Sequence, residues 1–235
     1  MRLSKRIYAI AEQVNIGETA ADIGTDHGYV PMLLMKNGIS PAVIMSDISS
    51  GSLAKAVQTF DMCGINVPET AFRVGDGLDT IEPGEVDDVI IGGLGGFTIT
   101  EILQSNIDKS RSFRKLILQP RKHSGNLRFF LYTHGWDIVS EKLAPEGKFV
   151  CEVITAVPVP GVTEREAPYP EEDIRWKYPE AIVNADRKLA EKRISWKIDS
   201  LAEQIENLSH SSSDSAELSE QLKADRQYLI DLISN

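Results

Sequence analysis

The sequence predicts an α/β protein: a Rossmann-like sheet, mostly parallel with an antiparallel edge hairpin, followed by a C-terminal helical hairpin. From residue 19 to about 157, short β-rich runs alternate with helix-compatible stretches, as in a parallel sheet covered on both faces. After a proline-rich break, apolar residues recur every three or four positions. The 235 residues hold one such α/β domain and roughly 60 to 80 more, which the hairpin accounts for.

Seven segments have the composition of strands, with apolar cores such as DDVII and RKLIL, and helical periodicity lies between them. Parallel neighbours need a crossover of about a dozen residues or more. The last two strands are joined by residues 144–148 alone, so we expect an antiparallel hairpin at one edge. The predicted strands are 19–24, 42–46, 70–74, 87–92, 115–119, 136–143 and 149–157, and the predicted helices are 28–37, 50–63, 97–104 and 124–132.

The segment VPVPGVTEREAPYPEED interrupts regular structure with four prolines, and it predicts a boundary between domains 1–160 and 161–235. Apolar residues from Ile174 to Leu208 then predict one long helix. The pattern stops at SHSSSDSAE, and leucines from 218 to 232 predict a second helix that folds back antiparallel. A lone helix cannot bury its apolar stripe, so either this second helix or a partner surface covers it. We favour the second helix.

Composition excludes several classes of protein. With 42% hydrophobic and 26% charged residues, the chain is neither collagen-like, mostly disordered nor stapled by disulfides. No apolar run approaches about 18 residues and the start has no signal-like core, so we expect a cytoplasmic protein without membrane contact. Cys63 and Cys151 lack metal-ligand spacing, which predicts buried apolar fillers and no metal. The net charge of −10 argues against non-specific coating of nucleic acid, although a local basic patch is compatible with it.

The most informative stretch is ADIGTDHGYVP, in the first strand-to-helix turn, where α/β sheets bind ligands. Gly24 allows a sharp turn, and Gly28 allows the next helix to approach a ligand or the strand. Asp26 stands where a dinucleotide-binding motif keeps a glycine beside pyrophosphate, and a carboxylate about 4 Å from a phosphate costs about 1 to 4 kcal/mol. NAD is therefore disfavoured, whereas Asp22 and Asp26 favour the sulfonium and ammonium groups of S-adenosylmethionine. Alternatively, the aspartates only cap the helix.

Two further aspartates follow the next strands. Asp47 ends the second strand, where a carboxylate accepts hydrogen bonds from a ribose diol. Asp76 lies between two glycines after the third strand, where its carboxylate can accept a hydrogen bond from an adenine amino group. Each feature alone is more typical of a turn. Together, at three successive carboxyl ends of strands, they predict a ligand crevice.

The fourth and fifth strands end in IGGLGGFTI and LILQP. The glycines around Leu94 leave room for a flat substrate, or they form a tight helix start. Base-methylating enzymes often place a polar-Pro-Pro-aromatic motif here; this chain lacks it, so its role must be filled otherwise. The Gln119 amide either pairs with the edge of a base or forms hydrogen bonds with backbone groups of the loop, and both interpretations stay open.

Between Lys109 and Trp136 there are seven basic residues and no acidic one. The run flanks the end of the fifth strand, which favours a phosphate-binding footprint beside the active site over a merely solvated face. Further basic residues on the long helix could bind along the RNA backbone or keep the helix soluble, and both interpretations stay open. The seven are Lys109, Arg111, Arg114, Lys115, Arg121, Lys122 and Arg128, and those of the helix are Arg187, Lys188, Lys192, Arg193 and Lys197.

With ADIGTDHGYVP, GDGLDTI, IGGLGG and LILQP in this order before a helical hairpin, the chain resembles the bacterial tRNA (adenine-22-N1)-methyltransferase family. The resemblance implies S-adenosylmethionine as cofactor and tRNA as partner. Two positions depart from the family pattern: Asp47 replaces a glutamate and Leu94 a methionine, and neither change removes a function. The resemblance assigns the cofactor to Asp22, Gly24, Asp26, His27, Gly28, Asp47, Ile48, Asp76, Gly77 and Gly92, and the target base to Gly93, Leu94 and Gly95. With Gln119, the basic residues Arg111, Arg114, Arg121, Lys122 and Arg128 are the remaining substrate candidates.

Adenine N1 carries a free lone pair at neutral pH, so methyl transfer to it depends mainly on alignment. The base must be unpaired or extruded into the pocket. We hypothesise that Tyr29 contacts the base and that Asp26 or His27 orients it or accepts a proton from its amino group; alternatively Asp26 and His27 only bind cofactor. We expect a monomer. The competing functions are methylation of another RNA, a small molecule or a protein, and a non-catalytic nucleotide-binding module.

Overall fold

The computed structural model describes residues 3–209 and 216–234. Its centre is a seven-stranded sheet in the order β3-β2-β1-β4-β5-β7-β6. The first five strands in this order are parallel to one another, whereas β7 is antiparallel to both β5 and β6. This confirms the predicted fold class and the predicted edge hairpin. The strands are β1 (Ala20–Ile23), β2 (Val43–Asp47), β3 (Phe72–Val74), β4 (Asp88–Leu94), β5 (Lys115–Pro120), β6 (Trp136–Glu146) and β7 (Phe149–Pro158).

The four helices predicted between the strands are present, and two others were not predicted. The unpredicted ones are the first helix of the chain and a short helix before β5. The predicted strand 70–74 is wrong at its start, because a 3-10 turn occupies Glu69–Ala71. The helices of this region are α1 (Lys5–Ala11), α2 (Tyr29–Lys36), α3 (Ser50–Cys63), α4 (Gly96–Ser105), α5 (Ile107–Ser112) and α6 (Ser124–Thr133).

Apolar clusters cover both faces of the sheet. On one face, side chains of α4, α5 and α6 pack on the strands; on the other, α1 and α2 do so. Strands β1 and β5 are buried along their whole length, as expected for central strands of a parallel sheet. Since parallel strands end at the same edge, the loops after β1, β2, β3, β4 and β5 come together there.

The prediction of one long helix after the proline-rich segment is wrong. The structure has three helices, α7 (Ile174–Lys177), α8 (Glu180–Ala185) and α9 (Arg187–Ser209). Pro179 cannot continue α7, because proline lacks the N–H group and disfavours helical backbone before it. Asp186 has extended backbone, and its carboxylate caps α9 by accepting a hydrogen bond from the Leu189 amide at 2.9 Å.

The last helix, α10 (Ala216–Ser234), runs antiparallel to α9, as predicted, since Arg187 donates a 2.8 Å hydrogen bond to the Ile233 carbonyl. Residues 210–215, within the predicted connection SHSSSDSAE, lie outside the described residues. The apolar stripes of both helices share a cluster with Leu143 of β6 and Val150 of β7. The sheet edge therefore helps to cover the helical hairpin, and these contacts cross the predicted boundary at residue 160.

Arg128 of α6 is the centre of a buried ion network. It is 1% exposed and binds Glu141 at 2.8 and 2.9 Å and Glu152 at 2.7 Å. Glu152 also accepts a 2.6 Å hydrogen bond from Arg193 of α9, and Arg128 donates to the Trp176 carbonyl of α7. Burial alone would raise the pKa of Glu152, but the two arginines together lower it. The predicted RNA contact of Arg128 is wrong, because its guanidinium is buried and pairs with two carboxylates inside the protein.

Both cysteines are free and partly exposed, so the expectation that they are buried is wrong, although Cys63 packs against the apolar cluster of Met45 and Phe60. Cys151 donates a 3.2 Å hydrogen bond to Glu146. Burial and the neighbouring Glu146 carboxylate raise the pKa of the Cys151 thiol to about 12. This thiol is therefore protonated at neutral pH and a poor nucleophile. Among the described residues, no helix combines the length and the apolar composition that crossing a bilayer requires.

We expect Arg128→Met to lower the free energy of unfolding by about 3 to 5 kcal/mol, because it leaves buried carboxylates without their partner. The measurement is chemical denaturation followed by fluorescence. The matched control is Arg114→Met, whose side chain is 66% exposed and whose partner Glu18 keeps its ion pair with Lys115; this change should cost about 0 to 1 kcal/mol. Equal and small losses in both variants would contradict a structural role for Arg128.

Candidate active site

A cavity of about 540 Å³ opens at the carboxyl ends of β1, β2 and β4, where the strand order reverses between β1 and β4. Ligands of open α/β sheets bind at such a position. Thirteen of the sequence-predicted site residues line it: Asp22, Gly24, Asp26, His27, Tyr29, Asp47, Ile48, Asp76, Gly77, Gly92, Gly93, Leu94 and Arg121.

Asp22, at the end of β1, is the buried acid of this cavity, with 6% of its surface exposed. Thr25 donates a 2.8 Å hydrogen bond to its carboxylate. Burial raises the pKa of Asp22 to about 6; Asp47 also raises it, whereas Thr25 and Arg6 lower it. The group is thus mostly ionised at neutral pH, and it places negative charge where few water molecules can screen it.

The turn after β1 is held by residues in the left-handed region. Gly24 and Gly28 have φ of +73° and +64°, and Asp26, which is not a glycine, has φ of +47°. The Asp26 carboxylate accepts a 2.8 Å hydrogen bond from Lys55 of α3, so Lys55 balances its charge. Asp22, rather than Asp26, therefore carries most of the attraction for a cation.

Asp47, at the end of β2, is fixed at the cavity wall. Its two carboxylate oxygens accept hydrogen bonds from the amides of Ser49, at 2.9 Å, and Asp26, at 3.2 Å. The neighbouring Ile48 is 71% exposed and offers an apolar surface to the same cavity. A carboxylate beside an exposed apolar side chain suits a ribose diol next to the face of a base.

Gln119 is buried behind the glycine-rich end of β4. Its side-chain oxygen accepts hydrogen bonds from Arg6, at 3.0 Å, and from the Gly93 amide, at 3.1 Å, and its amide nitrogen donates to the Pro120 carbonyl. Of the two readings for Gln119, the structure supports the one in which it satisfies loop backbone. Its side chain has no free edge for a base.

One wall of the cavity was missed from the sequence. Arg6, Ile7 and Ile10 of α1 line it, and Arg6 also donates a 2.9 Å hydrogen bond to Glu146 of β6. The recurrence of Ile7, Ile10, Ala11 and Val14 along one helical face, all buried, is a signal that would have predicted α1.

Other predicted site residues lie outside the cavity. A Cβ atom on Gly28 would lie 2.9 Å from that of Ala56, so Gly28 permits close packing of α2 against α3 rather than contact with a ligand. Gly95 caps α4. Within the two described ranges, no group of three or more His, Cys, Asp or Glu side chains could hold a metal ion.

The prediction of one basic footprint beside the active site is wrong, because β5 separates its members. Arg114 precedes β5 and pairs with Glu18 and Asp87 at the amino ends of the strands. Arg111 donates to the carbonyls of Val162 and Thr163 and lies over the Trp136 ring. Arg121 and Lys122 follow β5 and are exposed at its carboxyl end.

A second cavity of about 1070 Å³, here called the C-terminal groove, lies beside the first, and Arg121 lines both. Its walls are the first turn of α6, the edge hairpin and α9. Lys177 faces Lys197 and Arg193 there; burial and these two cations lower the pKa of Lys177. The exposed Trp196 ring also lines the groove.

Comparison with known proteins agrees with this architecture. A curated tRNA (adenine(22)-N(1))-methyltransferase of Bacillus subtilis (strain 168) is 35% identical over 156 residues, which are 66% of this chain and 65% of the relative. The match thus spans slightly less than two thirds of that relative. The crystal structure of the B. subtilis M1A22 tRNA methyltransferase TrmK superposes with a TM-score of 0.79 at 26% identity, covering 99% of each chain.

A structure of M. capricolum TrmK, solved with S-adenosyl-homocysteine, superposes over 99% of this chain and 100% of its own, with a TM-score of 0.78 and 23% identity. These similarities confirm the resemblance that the sequence motifs predicted. The family described as Methyltransferase domain matches residues 3–154, which include every strand up to the middle of β7 and all the residues that line the first cavity. The chain belongs to this methyltransferase family.

Proposed function

We propose that this protein transfers a methyl group from S-adenosylmethionine to N1 of an adenine in tRNA, at position 22. The observation that carries the proposal is the cavity at the switch point of the sheet, with Asp22, Asp47 and Asp76 at three successive strand ends. The similarity to the B. subtilis tRNA (adenine(22)-N(1))-methyltransferase supplies the substrate and the position.

The residues of the cavity fit this cofactor. Buried Asp22 would face its cationic methionine part, Asp47 its ribose, and Asp76 its adenine amino group, with Ile48 against the adenine ring. A dinucleotide fits less well, because Asp22 would repel its pyrophosphate. When bound, S-adenosylmethionine supplies an electrophilic methyl group on a sulfonium.

His27 and Tyr29 are the residues best placed to hold the acceptor base. Their rings are stacked, with centroids 5.1 Å apart and planes at 7°, and both line the cavity. Adenine N1 needs no base to free its lone pair, so holding the ring in line with the methyl group is the main task of these side chains. Asp26 is engaged by Lys55, which favours a role in shaping the turn over a role as proton acceptor.

We further propose that the chain acts as a monomer. A cytoplasmic location follows from the substrate and stays a prediction. Methylation of a small molecule is the competing enzymatic function, and a nucleotide-binding module without catalysis is the non-enzymatic one.

The decisive experiment is incubation with S-adenosylmethionine and unmodified tRNA, followed by mass mapping of the methylated nucleosides. We expect 1-methyladenosine at one position, adenine 22. Methylation at another base would overturn the regiochemistry. Cofactor binding without any methylated RNA would favour the small-molecule enzyme or the module. A size measurement on the active fraction tests the monomer.

We expect the affinity for S-adenosylmethionine to fall as the pH is lowered through about 6, because Asp22 then becomes protonated and loses its attraction for the cation. Calorimetric titration between about pH 8 and about pH 5 measures this. Asp22→Asn should bind weakly and independently of pH, whereas His27→Gln should keep the pH dependence. A pH dependence that disappears in His27→Gln and persists in Asp22→Asn would contradict the assignment.

Salt dependence tests which basic residues face RNA. Replacing Arg121 or Lys122 with glutamine should each reduce the slope of log affinity for tRNA against log salt by about 1. Arg114→Gln, at the opposite edge of the sheet, is the matched control and should leave the slope unchanged. A smaller slope in Arg114→Gln together with an unchanged slope in the other two variants would indicate that RNA binds at the amino edge of the sheet.

A further inference from the structure

An exposed aromatic pair stands at the carboxyl edge, where the loop after β4 meets the loop after β5. Phe97 is 48% exposed, and its ring centroid lies 4.3 Å from that of His123, with 32° between the planes. Phe97 follows the glycine turn Gly92–Gly96 directly, and the next residue, Thr98, lines the first cavity. The pair is therefore at the rim of the candidate active site.

Backbone contacts fix the position of this pair. The Gly96 amide donates to the Lys122 carbonyl at 2.8 Å, and the Arg121 amide donates to the Leu94 carbonyl at 2.7 Å. A Cβ atom on Gly96 would lie only 2.2 Å from the His123 carbonyl oxygen, so the two loops approach as closely as glycine permits. The backbones of the two loops thus fix where Phe97 and His123 stand, independently of the contact between their rings.

His123 occupies a position where its residue type is costly. Its φ is +58°, in the left-handed region that favours glycine or asparagine, and it is exposed at the start of α6. Its side chain does not cap the helix, and no hydrogen bond of its imidazole is found within the described parts of the chain. Neither helix capping nor a hydrogen bond of the imidazole therefore explains why an aromatic ring stands here.

The surroundings of the pair are basic. Arg121 and Lys122 precede His123 in the same loop and are exposed, and neither forms an ion pair with a carboxylate in residues 3–209 or 216–234. Arg121 lines both the first cavity and the C-terminal groove. Arg121 is close enough to Glu146 to lower the pKa of that carboxyl, although the two side chains form no ion pair. Cations beside exposed rings are the combination that binds unpaired nucleic acid, since the cations neutralise phosphates and the rings stack on bases.

We propose that Phe97 and His123 form a stacking platform for an unpaired nucleobase of the RNA substrate, with Arg121 and Lys122 neutralising the adjoining phosphates. The proposal rests on the proposed function and adds a substrate-binding element to it. It also supplies an aromatic surface at the strand end where this chain lacks the polar-Pro-Pro-aromatic motif.

The test compares Phe97→Leu with the wild-type protein. We expect the KM for tRNA, and the dissociation constant of tRNA in direct titration, to rise about tenfold or more. The affinity for S-adenosylmethionine should stay within about twofold, and Phe97→Tyr should restore tRNA binding. Tyr8→Leu, which removes a 44% exposed ring from α1, is the matched control and should behave as wild type.

A second variant separates the platform from a structural role. His123→Asn suits the left-handed backbone but lacks the ring, so we expect an unchanged melting temperature together with weaker tRNA binding. Wild-type tRNA affinity in both Phe97→Leu and His123→Asn would overturn the platform. If the wild type binds tRNA without methylating it, the proposed function fails, whereas the titrations still decide the role of the rings.

Discussion

The carboxylate of Glu152 is the link on which the arrangement of the two parts of the chain depends. It lies on β7, inside the protein, and is shared by Arg128 of α6 and Arg193 of α9. Buried charges of this kind rarely add much stability compared with apolar residues, but each partner becomes very costly to remove. The network therefore specifies how the C-terminal helices lie on the sheet edge, and that position in turn forms the C-terminal groove.

Much of the candidate site could be predicted because parallel strands end at one edge. Once ADIGTDHGYVP, the aspartate after β2 and the glycine-rich end of β4 are placed on successive strands, topology alone brings them together. The strands themselves follow from short apolar runs, which are buried on both faces. These parts of the prediction needed local pattern and one topological rule, and no knowledge of side-chain contacts.

The errors about the basic residues have a common physical cause: the role of each residue depends on distant partners. Arg128 has the same charge as Arg121, and only the carboxylates of β6 and β7 decide that it is buried. Arg114 and Arg121 are seven positions apart in the sequence, yet a whole strand lies between them. The break in the long helix is different, since Pro179 is visible in the sequence and its effect on the backbone outweighs the apolar period.

The contacts of Arg6 link the beginning of the chain to its edge hairpin: this side chain reaches Gln119 and, 140 positions away, Glu146. Contacts of such separation in sequence form late, because a large loop must close first. During synthesis, α1 and the strands that carry the acidic residues emerge before Glu146, so Arg6 lacks this partner until the edge hairpin follows. The wall that α1 forms is therefore anchored only after the hairpin has emerged and docked, so binding competence follows the pairing of the five parallel strands but does not have to wait for the C-terminal helices.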